Sequence, residues 1–273
     1  MQRTTMRWGL WGVVVAVAMG CGERPLTPRE PTPGVMNFRI ATFNIWDENA
    51  TDPATLDAIG QLGAEIIALQ EVTREAAPMI RARYQDRYPY MLFYPSGSAG
   101  LGFLSQWPIE DRGLTDPGNG WHPAWHVWVR TPHGLLETMV VHLRAPEGKG
   151  LASLSSIAAL SGDHRAEIKT FSDECAGDLP VVALGDFNEG PDGAAVQYLE
   201  DRGFQNALPL YRPGQFTWQA RKSVGGQFKS TIDHIMFDPR MLPLDAYTKN
   251  IGRSDHLPVV AHLELSSQWT KVE

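Results

Sequence analysis

The amino-acid sequence predicts an α/β fold, and three observations predict it. Short apolar runs meet across Gly/Ser or Pro/Gly turns, the pattern of hairpins. Other apolar runs alternate with stretches of helical period, the pattern of strand–helix units. Between residues 37 and 266 there is no repeat and no long low-complexity tract, so one domain accounts for the pattern.

The elements follow in chain order. Phe38-Arg39-Ile40-Ala41-Thr42-Phe43 reads as the first strand and ends at Asn44. Residues 54–63 read as a helix, with Leu56, Ile59 and Leu62 on one face and Gly63 as its stop. Ile66-Ile67-Ala68-Leu69-Gln70 is a strand ending at Glu71. A second helix is expected over 73–84, with Pro78 in its early turns. Residues 90–93 and 101–105 pair across the turn at 96–100, and the segment 102–109 leads into a further strand. Residues 124–131 and 135–143 form a hairpin across Pro132-His133-Gly134.

The longest helical signal spans 151–175. There Ile157, Leu160, His164, Ile168, Phe171 and Cys175 step by three or four residues, and Gly162 is a candidate bend. Pro180-Val181-Val182-Ala183-Leu184-Gly185 is a strand leading to Asp186, followed by a helix over 192–201. Strands are expected at 230–237 and 257–265.

The N-terminus reads as an export signal. Arg3 and Arg7 precede an apolar run from Trp8 to Met19 that ends in Gly20-Cys21. The run is short for a membrane span. Cys21 stands where a bacterial lipoprotein carries its lipidated cysteine, and a plain signal cleaved nearby or an uncleaved anchor is the alternative. The expected organisation is a signal over 1–20, a Pro-rich tether over 21–36, the domain over 37–266 and a tail over 267–273. The expected location is the bacterial envelope, lipid-anchored, or otherwise secreted or periplasmic. Cys21 and Cys175 are the only cysteines, so an acylated Cys21 leaves no internal disulfide. Cys175, at the end of the helical stripe, reads as buried and inert.

With 24 Lys and Arg against 31 Asp and Glu, the net charge is −7. Loss of Arg3 and Arg7 with the signal makes the exported chain more acidic. There is no Lys/Arg run, which argues against a tight, sequence-independent DNA binder. A basic rim near Arg144, Lys149, Arg221, Lys222 and Lys229 would argue the other way.

Acidic and amide motifs stand at the ends of the strands. They are Thr42-Phe43-Asn44, Leu69-Gln70-Glu71, Gly185-Asp186-Phe187-Asn188, Ile232-Asp233-His234 and Ser254-Asp255-His256. Carboxylates with amides and a histidine suit a hard, oxygen-loving ion such as Mg²⁺ rather than a thiolate-bound zinc. In extended chain, Asp186 and Asn188 point to one side and Phe187 to the other, into the core. His234 alternates away from Asp233 and reads as packing. His122 and His126 have the spacing of a helical metal pair, but Pro123 and strand alternation speak against a helix there. Asp47, Glu48, Asp163 and Asp173 read as solvated charges.

In their order and spacing these motifs resemble the endonuclease/exonuclease/phosphatase superfamily of metal-dependent phosphoesterases, over nearly all of 37–265. The resemblance implies a four-layer α/β/β/α sandwich, two packed mixed sheets flanked by helices. It implies Glu71 as the direct metal ligand, assisted by Asn44, with Asp255 on the metal side. The ion is expected to be Mg²⁺, with Mn²⁺ or Ca²⁺ as substitutes. Asp186 and Asn188 would position the attacking water, and Asp233 would hold His256, which acts as base or as phosphate clamp. His142, in Val140-Val141-His142-Leu143-Arg144, matches a family histidine that protonates the leaving oxygen. In the deoxyribonuclease branch a glutamate supports that histidine, but residues 94–106 contain no Asp or Glu. Arg144 is either a clamp on a phosphate oxygen or a solvated loop residue. The expected activity is phosphodiester or phosphomonoester hydrolysis by a monomer. Its substrate is a nucleic acid, a phospholipid or a small phosphoester. A non-specific endonuclease is the alternative, and a silent phosphoester-binding module a remote one.

Overall fold

Fourteen strands and five α-helices order the described chain. In the computed structural model the strands are β1 (Asn37–Asn44), β2 (Ile66–Gln70), β3 (Tyr90–Tyr94), β4 (Leu101–Ser105), β5 (Ile109–Thr115), β6 (Ala124–Thr131) and β7 (Gly134–His142). The remainder are β8 (Val181–Asp186), β9 (Gln205–Asn206), β10 (Trp218–Gln219), β11 (Lys229–Ser230), β12 (Asp233–Phe237), β13 (Met241–Thr248) and β14 (Val259–Leu265). The helices are α1 (Pro53–Gln61), α2 (Ala76–Tyr84), α3 (Leu154–Asp173), α4 (Ala194–Glu200) and α5 (Ala207–Tyr211). The structure describes residues 24–118, 121–145, 154–219 and 229–266. The export signal, Cys21 and the start expected for α3 at 151 lie outside them.

Two six-stranded mixed sheets form the centre, in the orders β13-β14-β1-β2-β4-β3 and β5-β6-β7-β8-β12-β9. Three apolar clusters divide the layers. Phe38, Ile40, Ile66, Ala68, Phe103, Trp125, Val140, Leu184, Ile235 and Val259 lie between the sheets. Ala41, Phe43, Ile67 and Leu69 turn outward onto Leu56 and Ile59 of α1 and Ile80 of α2. Met139, Val141, Ala183 and Met236 turn outward onto Ile168 and Phe171 of α3 and Val196 and Leu199 of α4. Successive side chains of a strand face opposite ways, so each central strand serves two clusters. The result is the expected α/β/β/α sandwich.

Local chemistry explains the boundaries. The Asp52 carboxylate accepts from the Ala54 N–H and caps α1, which begins with Pro53 at a position that needs no donor. Pro78 falls in the first turn of α2, where it costs no hydrogen bond. Gly162 does not interrupt α3. The unanticipated β13 carries Pro243 and a register shift between Pro243 and Asp245, which its edge position permits.

Part of the Pro-rich segment, expected as a tether, is bonded to the domain. Leu26 N–H donates to Leu210 O and Arg29 N–H to Leu244 O. Arg29 Nη2 and Thr32 N–H both reach the buried Glu264 carboxylate, at 2.9 and 2.8 Å.

Candidate active site

The inter-sheet core ends in polar residues. On β1, Phe38 and Ile40 face the core, and Asn44 lies on the same side. The same parity carries Val140 to His142 on β7, Leu184 to Asp186 on β8 and Ile235 to Asp233 on β12. His142 pairs with Asp186, and Asp186 with Asp233, in direct register across three neighbouring strands. Close packing helps set this register. At Gly185, where φ is +148°, a Cβ would lie 1.9 Å from Val141 O, so no side chain fits before Asp186.

Asp186 is the hub. Its Oδ2 accepts from Asn44 Nδ2 at 3.1 Å and lies 3.6 Å from both His142 Nε2 and His256 Nε2. Asn44 Nδ2 also donates to Glu71 Oε1 at 2.9 Å, while Asp47 N–H donates to Glu71 Oε2. Asn44 Oδ1 accepts from Trp46 N–H, which leaves it one lone pair for an ion. Asp233 holds His256 Nδ1 at 3.0 Å, the expected carboxylate–imidazole pair. His234 points away and is packed, 5.3 Å from the Phe187 ring and bonded to Asn206.

Trp46, Glu71 and Asn188 are the non-glycine residues with positive φ among the described residues, and all three line one cleft of about 670 Å³. Strained backbone of this kind concentrates at functional sites. For Asn188 it corrects the extended-chain expectation. At φ +50° the residue leaves the alternation, and its Nδ2 donates to Leu143 O rather than standing beside the Asp186 carboxylate. Phe187 is fully buried, as its alternation implies.

The structure gives His142 and Arg144 specific partners. His142 lacks a supporting glutamate because Ser98 O, 2.9 Å from Nδ1, takes that place. Burial lowers the pKa of His142 and the neighbouring His256 adds to this, against the pull of Glu71. Nδ1 faces Ser98 O, so Nε2 is the nitrogen turned toward Asp186. Arg144 keeps solvent contact, with its side chain 29% exposed, while its guanidinium pairs with the 42% exposed Asp163 at 3.2 Å and lies over the Trp121 ring.

Burial opposes charge on His256, but Asp233 and then Asp186 outweigh it and lift its pKa to about 10. His256 is an imidazolium at neutral pH. Burial pushes Asp186 up to about 7, and burial likewise raises Glu71. The Asp255 carboxylate accepts on Oδ2 from Trp218 Nε1 at 3.0 Å. Its Oδ1 is buried without a partner. Four carboxylates on one cleft, with an orphaned oxygen among them, fit a hard divalent cation, and donor atoms of Asp186, Asp233 and His256 lie within 4.8 Å of one another.

Sequence reasoning missed a support behind the site. His164 Nδ1 meets Glu189 Oε2 at 2.8 Å and its Nε2 meets Arg144 O at 2.7 Å. Glu189 in turn accepts from the N–H groups of Ala194, Ala195 and Val196. The pair joins α3 to the loops after His142 and Asp186.

A family model for the endonuclease/exonuclease/phosphatase family matches residues 41–256. No curated protein matches the chain. Solved structures are similar. An endonuclease/exonuclease/phosphatase from Beutenbergia cavernae DSM 12333 is 18% identical over 84% of this chain and 72% of its own, with TM-score 0.63. The 3′ phosphatase NExo from Neisseria, bound to a product DNA hairpin, is 19% identical over 82% and 98%, with TM-score 0.61. An AP endonuclease from Archaeoglobus fulgidus is 18% identical over 82% and 98%, with TM-score 0.60.

Proposed function

The chain belongs to the endonuclease/exonuclease/phosphatase family and is a metal-dependent hydrolase of phosphoester bonds; from that premise we propose that it is a Mg²⁺-dependent phosphoesterase of small or lipid phosphoesters. One observation carries the substrate class. Among the described residues the cleft is lined by carboxylates, histidines and two tryptophans, Trp46 and Trp218, with no lysine or arginine. A nucleic-acid channel gains its affinity from cationic phosphate contacts. Apolar walls beside an ion site instead suit one phosphoryl group with an apolar or ring-bearing substituent.

The division of labour follows from the protonation states. Glu71, Asn44 and Asp255 would hold the ion, which when bound would supply positive charge to polarise a phosphoryl oxygen. Asp186, with a pKa of about 7, accepts a proton from the attacking water. His256, kept charged by Asp233, donates from Nε2 to a phosphoryl oxygen, which favours the clamp over the base. His142 presents Nε2 3.6 Å from Asp186, within reach of the leaving side of the phosphoryl group.

The charged, apolar and small residues before Cys21 support export and lipid anchoring there, with the domain at 37–266 held at a membrane surface. The second reading, an endonuclease, is favoured by the DNA that the similar Neisseria structure binds. Hydrolysis by the purified protein separates the two, with plasmid DNA set beside phospholipid, inositol-phosphate and generic diester substrates in Mg²⁺ and in EDTA. EDTA-sensitive turnover confined to the small or lipid substrates is the expected result. EDTA-sensitive nicking of the plasmid as the main activity contradicts it.

A further inference from the structure

The outer face of the second sheet carries a second constellation, away from the cleft. His126 on β6 and Glu137 on β7 project from the side opposite the inter-sheet core, beneath the end of α3. Cys175, two residues beyond that helix, closes over them. One donor atom from each of the three lies within 4.8 Å of the others. His126 and Glu137 are only 4% and 2% exposed. Glu137 stands five residues before His142 on the same strand, about 16 Å along it at the usual rise.

Hydrogen bonding accounts for only one nitrogen of the buried His126. Its Nε2 has no partner. Its Nδ1 stands 3.3 Å from Glu137 Oε1, long for a hydrogen bond between these groups. The same distance is the edge of a tetrahedron whose bonds to the central ion are about 2.0–2.1 Å. Glu137 is already aimed, because its other oxygen accepts from Ala176 N–H at 2.8 Å. That hydrogen bond ties the carboxylate to the residue after Cys175. Cys175 Sγ lies within 4.8 Å of both other donors, so the thiol need only close onto an ion seated between them.

We propose that His126, Glu137 and Cys175 form a three-ligand zinc site that joins the segment after α3 to β6 and β7. Imidazole, thiolate and carboxylate together select a borderline ion such as Zn²⁺ rather than Mg²⁺, and water fills the fourth position. On binding, the Cys175 thiol forms the sulfur–metal bond and releases its proton to solvent. Burial, followed by the Glu137 charge, raises the pKa of the metal-free thiol, so zinc affinity increases with pH.

Cobalt(II) tests the site, because a cobalt–thiolate bond gives a near-ultraviolet charge-transfer band. The full chain carrying Cys21→Ser has Cys175 as its sole thiol. It is stripped with EDTA, given excess Mg²⁺ and titrated with Co²⁺. The expected result is a thiolate band that saturates near one equivalent and is displaced by Zn²⁺. The band should be lost in Cys175→Ser and reduced in His126→Gln. Zn²⁺ should raise the melting temperature of the parent but not of Cys175→Ser. Circular dichroism verifies each fold, and Cys175→Ser should retain its hydrolytic turnover. The absence of a thiolate band in the folded parent, or its survival in Cys175→Ser, overturns the proposal.

Discussion

At the scale of single residues, the site is made where inward-facing rows run out of apolar side chains. Asn44, Asp186 and Asp233 were legible because each is a polar residue at the edge of an apolar run, and parity alone places it between the sheets. The Asp233–His256 pair was also expected, and it is in place at 3.0 Å. What was not legible is carried by backbone atoms and handedness. Ser98 supports His142 through a carbonyl, which no residue type announces. Asn188 leaves the strand geometry because its φ is +50°. His256 gives the sharpest residue-scale prediction. His256→Ala removes the buried cation facing Asp186 and should lower kcat by about 10²–10⁴-fold. Its circular dichroism should remain that of the parent. Near-normal turnover in the folded variant contradicts the assignment.

At the scale of elements, periodicity located most helices and strands, and the misses have physical causes. Pro243 and a bulge broke the alternation of β13, while β9, β10 and β11 are two residues each and too short to carry a period. His164 was read as one more position on the buried stripe of α3, yet it bridges two loops of the site. Burial opposes its charge, but the Glu189 carboxylate and the Arg144 carbonyl outweigh this and raise its pKa. A raised histidine pKa stabilises the fold fully below the unfolded value of about 6.5. That stability is lost as pH rises through the folded value. His164→Gln should therefore cost about 1.5–3 kcal/mol at pH 6, the value of a hydrogen bond to a charged group. The difference from the parent should narrow as pH is raised. Melting temperatures of both proteins across pH check this, and a gap independent of pH contradicts it.

At the scale of the whole molecule, the four-layer order was legible through resemblance rather than through pattern alone. Hairpins and strand–helix units specify an α/β class, whereas the facing of two sheets depends on contacts far apart in sequence. The acidic net charge points the same way as the cleft, whose lining has no lysine or arginine among the described residues. The segment expected to be a free tether is bonded along the domain through Leu26, Arg29 and Thr32, because Glu264 offers a buried carboxylate to both an N–H and a guanidinium. The most direct test of the central claim joins metal binding to turnover. Protein stripped by EDTA is titrated with Mg²⁺ by calorimetry, and hydrolysis of a small phosphodiester is followed alongside, for the parent and for Glu71→Gln. Turnover in the parent should rise with Mg²⁺ occupancy, and Glu71→Gln should lose binding and turnover together. Full turnover in EDTA, or a Glu71→Gln protein that binds Mg²⁺ and hydrolyses like the parent, would contradict the account.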